Sequence, residues 1–516
     1  MSRVTIIRPP TVFSRRSYSV PIVPPLGSVY LAASLRQAGH EVRVIDAVGE
    51  AIAHLGTTSR FKLRYQGLPL SGIVDRIPRT TQLIAVSAMF SQEWPHIEEL
   101  IGRIGQAFPN VPLVVGGEHA TAAWEYILQT SPAVTCIGLG EGEETLCDLA
   151  RWVEQGGALG EIPGIAYRQA DGVAVTAPRK RITDVDEIPR PAWDLVPIEA
   201  YLSGGYSHGI DLGRSMPILA TRGCPFQCTF CSNPAMWTTR YVMRDIAKVL
   251  DEIEYYMREY RAANIDFYDL TAIIRKDWIM RFCEELLRRQ LDVTWQLPSG
   301  TRSEALDAEA LTKLYEAGCR NLTYAPESGS ERTLKAIKKE VRLPRMVNSI
   351  KAAKRAGISL KCNLIIGFPT ERRVDIFRTL WFAIKMAWLG VDDVPLYLFS
   401  PYPGSELYHY LRSTGAIQQM DNDYFESLTC FMDFSITSRY CERIGPFELN
   451  GYRVIGMMAF YGLSYLRYPS RILRTVRNLV GKTPITVFEQ RLIDILRRAS
   501  QMRLATNSQL STGGGS

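Results

Sequence analysis

PILATRGCPFQCTFCSNPAMWTTR, residues 217–240, decides how the rest of the chain is read, because Cys224, Cys228 and Cys231 stand in it at the spacing C-x3-C-x2-C. An iron-sulfur cube has four irons and is normally held by four thiolates. Three cysteines within one eight-residue span leave one iron without a protein ligand, and an open metal position is where a substrate can bind. The loop follows the apolar run Ile218, Leu219 and Ala220 and contains Gly223 and Pro225, so it reads as a turn leaving a buried strand. C-x2-C alone also suits zinc, although no second C-x2-C or histidine pair follows to close a tetrahedral site.

Working outward, 516 residues are too many for one ordinary core and suggest about three domains. A hydrophobic content of 46% with 22% charged residues is that of a soluble globular protein. The other seven cysteines are scattered singly, which is not a disulfide framework, and an iron-sulfur cluster needs a reducing compartment. The N-terminus shows no secretory signal, and no run reaches the ~18 apolar residues of a membrane span, so the expected location is cytoplasmic. The net charge of +7 is mild for this length and gives no argument for nucleic acid as a partner.

Upstream of the cysteines, residues 4–7, 42–45, 83–86, 113–115 and 134–137 are short apolar runs, each followed by a loop or a helical pattern. The alternation predicts a doubly wound parallel sheet over residues 1–150, with a ligand crevice at the carboxyl ends of its strands. Those ends carry Ser87, Met89, Phe90 and Ser91, then Gly116, Gly117, Glu118 and His119, then Gly138, Gly140 and Gly142. Glycines there suit close backbone approach to a large ligand, although glycine-rich loops also occur throughout such folds. Residues 151–205 read as a connector with a hairpin turning at 170–172 and a proline-rich run. From residue 206 to 405 strands and helices alternate again in six pairs, which suggests an open version of a β/α barrel.

The cysteine loop resembles the cluster-binding signature of the radical S-adenosylmethionine (radical SAM) enzymes, in which SAM chelates the fourth iron of a [4Fe-4S] cluster. Phe230 matches the aromatic that lies beside the adenine in that family. Glu327 and Ser328, after the fourth strand, resemble its SAM-contact segment, as do Gly367 and Glu371 after the fifth; Asp269, after the second, matches in part. The alternative for each polar group is a helix or turn cap. Placed before such a loop, PPLGSVYLAASL, VVGGEHA and GLGEGEETL resemble the cobalamin-binding domain of the cobalamin-dependent radical SAM class. There is no D-x-H-x-x-G motif, and members of that class bind the corrin without a histidine ligand. The resemblance implies an α/β protein: a Rossmann-like cobalamin-binding domain, a partial (β/α)6 radical SAM barrel, and a mostly helical C-terminal domain over residues 406–516 that caps the substrate.

It further implies a methyltransferase. One electron from the cluster cleaves SAM to a 5′-deoxyadenosyl radical, and the substrate radical takes a methyl group from methylcobalamin. The expected substrate is a small molecule, hydrophobic in kind, such as a lipid or tetrapyrrole, and the electron donor is external, a flavodoxin or ferredoxin. The class also contains oxidative cyclases and ring-rearranging enzymes that transfer no methyl group, and a non-catalytic electron carrier is the third reading. Segment 451–482 has six basic residues and no acidic one. After Pro469 the pattern is that of a basic amphipathic helix, which either lies on an anionic membrane surface or packs on a domain with its basic face solvated.

Overall fold

The computed structural model describes residues 1–18, 20, 22–59, 62–302 and 306–512, with side chains described as far as residue 501. Near its N-terminus lies a seven-stranded sheet: β1 (Arg3–Arg8), β2 (Glu41–Asp46), β3 (Leu83–Ser87), β4 (Leu113–Gly116), β5 (Cys136–Gly138), β6 (Ile165–Gln169) and β7 (Gly172–Val175). The first five strands are parallel, in the order β2-β1-β3-β4-β5. Ile6 and Ile7 point to opposite faces of β1 and both are buried, because helices cover both faces of a doubly wound sheet. Helix α1 (Leu26–Gln37) buries Val29, Ala32 and Leu35 against one face and stops before Gly39, which has φ +85°. The hairpin expected in the connector forms as β6 and β7 and pairs antiparallel with β5, extending the first sheet.

The second sheet has six parallel strands in sequential order: β8 (Ser215–Ile218), β9 (Asn264–Phe267), β10 (Thr294–Thr301), β11 (Cys319–Glu327), β12 (Ser359–Ile366) and β13 (Leu396–Leu398). Its two edges do not pair, so the barrel is open. Alternate residues face the helices, as Tyr324 does in bonding Ser349 at 2.7 Å, while the others face the lumen. A polar layer closes the amino-terminal end. Gln296 bonds the backbone of Ile210 both ways (2.8 and 3.0 Å), Asp266 accepts from Asn264 and His208, and Asn321 donates to Gln296 at 3.0 Å.

Helix α2 (Arg373–Trp388) follows β12. The C-terminal part is helical, with α3 (Pro446–Arg467), α4 (Ser470–Gly481) and α5 (Val487–Thr512) as its long members. Here the structure corrects one expectation. In α4 it is the polar side that packs: Arg471 donates to the carbonyls of Gly390 and Val391, and Thr475 and Asn478 donate to the buried Glu489 of α5. The outward side carries Ile472, Leu473, Val476 and Val480. Glu489 draws the helix's donors inward, so the solvated face is mainly apolar, with Arg477 left exposed on it.

Candidate functional site

The cysteine loop begins where β8 ends and a two-residue strand, Thr221–Arg222, pairs with Val242–Met243. Gly223 has φ +85°, and a Cβ there would stand 2.0 Å from the carbonyl oxygen of Arg240, so only glycine turns the chain into Cys224. Cys231 N–H donates to the Cys228 carbonyl at 3.0 Å, closing a tight turn between these two cysteines. All three cysteines are half-buried. Burial pushes the Cys231 thiol up to about 12 and also raises Cys228, against which the Lys339 ammonium acts. Among the described residues no three His, Cys, Asp or Glu side chains converge as one ion would require. That geometry does not suit a zinc knuckle, whereas thiolates on a cube each bind a different iron.

Of the residues singled out in the sequence, Asp269 supports this loop from behind. Asp269 is buried and accepts from the N–H of Ala220 (3.2 Å) and from Thr221 Oγ1 (2.5 Å), so its carboxylate fixes the strand entering the loop. Its pKa is pushed up to about 6 by burial. Ser328 bonds Thr379 at 2.9 Å and accepts from Ser330 N–H. Glu371 accepts from the N–H of Gly367 (2.6 Å) and Phe368 (3.3 Å), and burial pushes it up to about 7. These two are caps of their own turns, as Ser and Glu often are. Glu327 differs: it sits at the end of β11 with φ +64° and holds Lys339 at 3.0 Å. Phe230 packs near Phe368, with ring centroids 5.8 Å apart.

Toward the carboxyl ends of the barrel strands lie buried polar atoms without partners: Tyr268 Oη, Thr271 Oγ1, Thr301 Oγ1, Thr323 Oγ1 and Asn363 Oδ1. Each costs ~1–3 kcal/mol if left unpaired. Such atoms call for a polar ligand or water as partner.

In the first sheet, Ser87, Gly116 and Gly138 are in register at the carboxyl ends of β3, β4 and β5. A Cβ on Gly116 or Gly138 would meet nothing closer than 3.9 Å, so their missing side chains leave open space above the sheet. Gly117 has φ +113°, and a Cβ there would come within 2.7 Å of the Ala88 carbonyl oxygen; Gly142 instead packs against Leu31. Met89 and Phe90 are exposed, while His119 is buried. His119 Nδ1 lies 2.9 Å from Ser91 Oγ, its ring packs between Trp94 and Phe425, and burial holds it down to about 3. These loops face the cysteine loop directly. Ser232, next to Cys231, donates to Glu118, and Gly140 abuts the Met236 carbonyl oxygen. A cavity of about 290 Å³ lies between them, lined by Met89, Phe90, Glu118 and Ser232 with Tyr402 and Phe431.

Residues 17–150 match the B12 binding domain and residues 218–382 the radical SAM superfamily. The chain thus carries a B12-binding domain followed by a radical SAM domain. An uncharacterized methyltransferase of Pyrococcus horikoshii is 28% identical over 419 residues, 81% of this chain and 85% of that relative. The anaerobic magnesium-protoporphyrin IX monomethyl ester cyclase of Cereibacter sphaeroides is 26% identical over 396 residues, 75% of this chain but 60% of the cyclase. The solved structure of the cobalamin-dependent S-adenosylmethionine radical enzyme OxsB, with aqua-cobalamin and S-adenosylmethionine bound, shares the fold. Its TM-score is 0.66 at 16% identity, over 99% of this chain and 80% of that one.

The B12-binding radical SAM architecture brings a [4Fe-4S] cluster, SAM and cobalamin, and the residues fit each. Three thiols on one loop suit a cube with one open iron. Unpartnered polar atoms in the lumen suit the polar groups of SAM. Open glycine strand ends beside exposed Met89 and Phe90 suit a corrin. Residues not singled out from the sequence join the two halves. Arg222, two positions before Cys224, pairs with Glu143 at 2.6 Å and Glu141 at 3.3 Å, and Arg181 pairs with Glu141 at 2.7 Å. Arg302 lies over the Phe226 ring at 3.4 Å, bracing the loop from β10. An Arg two positions before the first cysteine, with acids in the GLGEGEETL turn, was the available signal.

Proposed function

We propose that this protein is a cobalamin-dependent radical SAM methyltransferase acting on an unactivated carbon. The observation that carries the reading is the cavity where the Met89–Phe90 and Glu118 loops of the sheet meet Ser232, next to Cys231, because methyl donor and radical source must both reach one substrate. When bound, the reduced cluster and SAM supply a hydrogen-abstracting radical, and methylcobalamin supplies the methyl group. In this reading Cys224, Cys228 and Cys231 hold the cluster, and Phe230 flanks the adenine. Glu327, braced by Lys339, and the lumen hydroxyls bind the remainder of SAM. Ser87, Met89, Phe90, Gly116, Gly117 and Glu118 cradle the corrin, with Ser91 and His119 supporting that loop from beneath. Asp269, Ser328, Gly367 and Glu371 position the strand ends.

The substrate in this reading is a small molecule with a hydrophobic body. A second cavity, of about 180 Å³, includes Lys361, Tyr397, Arg491, Arg497 and Asp494 in its lining; Arg491 and Arg497 are paired with Asp393 and Asp494, and Lys361 favours a carboxylate or phosphate on that body. Electrons come from an external flavodoxin or ferredoxin in this reading, and an apolar helical face on the C-terminal part supports a peripheral contact with a membrane surface. The relationship to cyclases supports a second reading, cobalamin-assisted cyclisation without methyl transfer.

The test is turnover of candidate substrates with methyl-deuterated SAM under reducing conditions, followed by mass spectrometry. The proposal predicts 5′-deoxyadenosine together with a product heavier by one labelled methyl group. 5′-Deoxyadenosine with an unlabelled, oxidised or cyclised product replaces it with the second reading.

A further inference from the structure

We propose that α2, α3 and α4 form a docking face for an anionic lipid bilayer. More than half of the large apolar side chains left exposed in the described chain lie on these three helices, among them Trp381 (70% exposed), Phe447 (90%), Met458 (69%), Leu466 (82%), Leu473 (77%) and Val480 (81%). α2 and α3 lie side by side and parallel: Arg373 pairs with Glu448 at their starts, and Arg467 covers the Trp388 ring at their ends. Their outward stripes therefore form one surface, which α4 continues after Pro469. An apolar patch of this extent marks an interaction site on an otherwise water-facing protein.

What distinguishes the face from ordinary packing is the reversed polarity of α4 and the buried cation of α3. α3 turns Arg453, Gly456 and Ser464 inward beside Leu449 and Phe460, and the Arg453 guanidinium donates to the carbonyls of Cys430 and Phe434. α4 turns Arg471, Thr475 and Asn478 inward. The fold thus satisfies polar groups inside and leaves Ile455, Met458, Leu473 and Val480 outside.

The occupant follows from charge and residue type. Residues 451–482 contain no acid, and Arg467, Arg477 and Lys482 are exposed around the apolar stripe. A cationic rim around an apolar stripe, with Trp381 and Trp388 at its edge, is the composition that seats in the interface of an anionic bilayer. Among the described residues no helix is long and apolar enough to cross a membrane, so the contact is interfacial. α4 packs on α5, whose Arg491 and Arg497 help line the second cavity, so an amphiphilic substrate would enter from the lipid side.

Flotation of the full chain with phosphatidylcholine vesicles, with and without phosphatidylglycerol, tests this. Neither cluster nor corrin takes part, so the result is independent of the methyl-transfer reading. The expected result is flotation with the anionic vesicles, weakened by salt, and lowered by at least ~10-fold in Leu473→Glu/Val480→Glu. Arg477→Ser/Lys482→Ser should lower it less and flatten the salt dependence. Both pairs are solvent-exposed, and an unchanged thermal midpoint confirms that they fold. The proposal is overturned if the wild-type chain does not float, if it floats equally with both variants, or if light scattering shows a dimer that the Glu variant dissociates without any flotation, because a second copy then covers the face.

Discussion

Replacing Cys224, Cys228 or Cys231 by Ala abolishes cleavage of SAM, and of all single substitutions this one has the largest expected effect. In the proposed reading each thiol is one of three protein ligands on the loop, and polar groups around it are already engaged: Glu327 with Lys339, Asp269 with Ala220 and Thr221, and Glu118 with Ser232. No neighbouring donor replaces a lost thiolate, so cluster content and 5′-deoxyadenosine formation fall together by at least ~10³-fold, the scale of losing an essential catalytic group. Corrin binding survives, because its cradle lies on the other sheet. The measurement is 5′-deoxyadenosine by mass spectrometry beside iron and corrin content. A variant with wild-type turnover would contradict the assignment, and one that lost iron and corrin together would show that the loop holds the fold instead.

The second large effect is on the juncture of the two domains. Arg222 and Glu143 are both buried, 79 residues apart in sequence, and the guanidinium also covers the Tyr30 ring at 5.3 Å. Arg222→Met leaves the Glu143 charge buried and unpaired and destabilises the protein by about 3–5 kcal/mol, whereas Glu143→Gln leaves Arg222 with Glu141 at 3.3 Å and costs less. The double variant costs less than the sum, because neither charge is then stranded. The pH dependence has a definite sign. Burial raises the Glu143 pKa, but the attraction of Arg222 outweighs it and holds the carboxyl below its ordinary value. Its contribution is therefore complete above the unfolded carboxylate pKa of about 4.3 and is lost as pH falls through the lower folded value. Denaturation series from pH 7 to about 3 read this out: wild type loses the contribution on acidification, and Glu143→Gln lacks that component. If the two proteins had the same pH profile, the pair would contribute nothing to the juncture. Loosening the juncture should also raise the ratio of 5′-deoxyadenosine to methylated product, since the lumen and the corrin cradle would no longer be held opposite each other.

The two α/β units and the cysteine loop were legible because each rests on local pattern: apolar runs alternating with helical spacing, and three thiols within a few residues. What local pattern does not carry is which face of an element is used. The period of two in β11 and β12 separates Thr323 and Asn363 from Leu322 and Leu364, but it does not say that the first pair lines a lumen without partners. Glu371 and Ser328 carry atoms suited equally to a ligand and to a turn, and the backbone N–H groups of their own turns or a nearby hydroxyl took them. α4 shows the same limit more sharply. Its sequence gives two faces correctly, but the buried Glu489, on the following helix, decides that the polar one packs. Arg222 was hidden for a related reason, since its partners lie in the other domain.

The central claim is that one chain holds a cluster and a corrin opposite each other. Anaerobic purification with iron, sulfide and hydroxocobalamin, followed by a visible spectrum and quantified iron and corrin, tests it most directly. The account predicts about four irons and about one corrin per chain, the corrin lost and the iron retained when Gly116 is changed to Phe to fill the open strand end. A chain that took up iron but no corrin would contradict it, and the methyl-transfer proposal would fall with it.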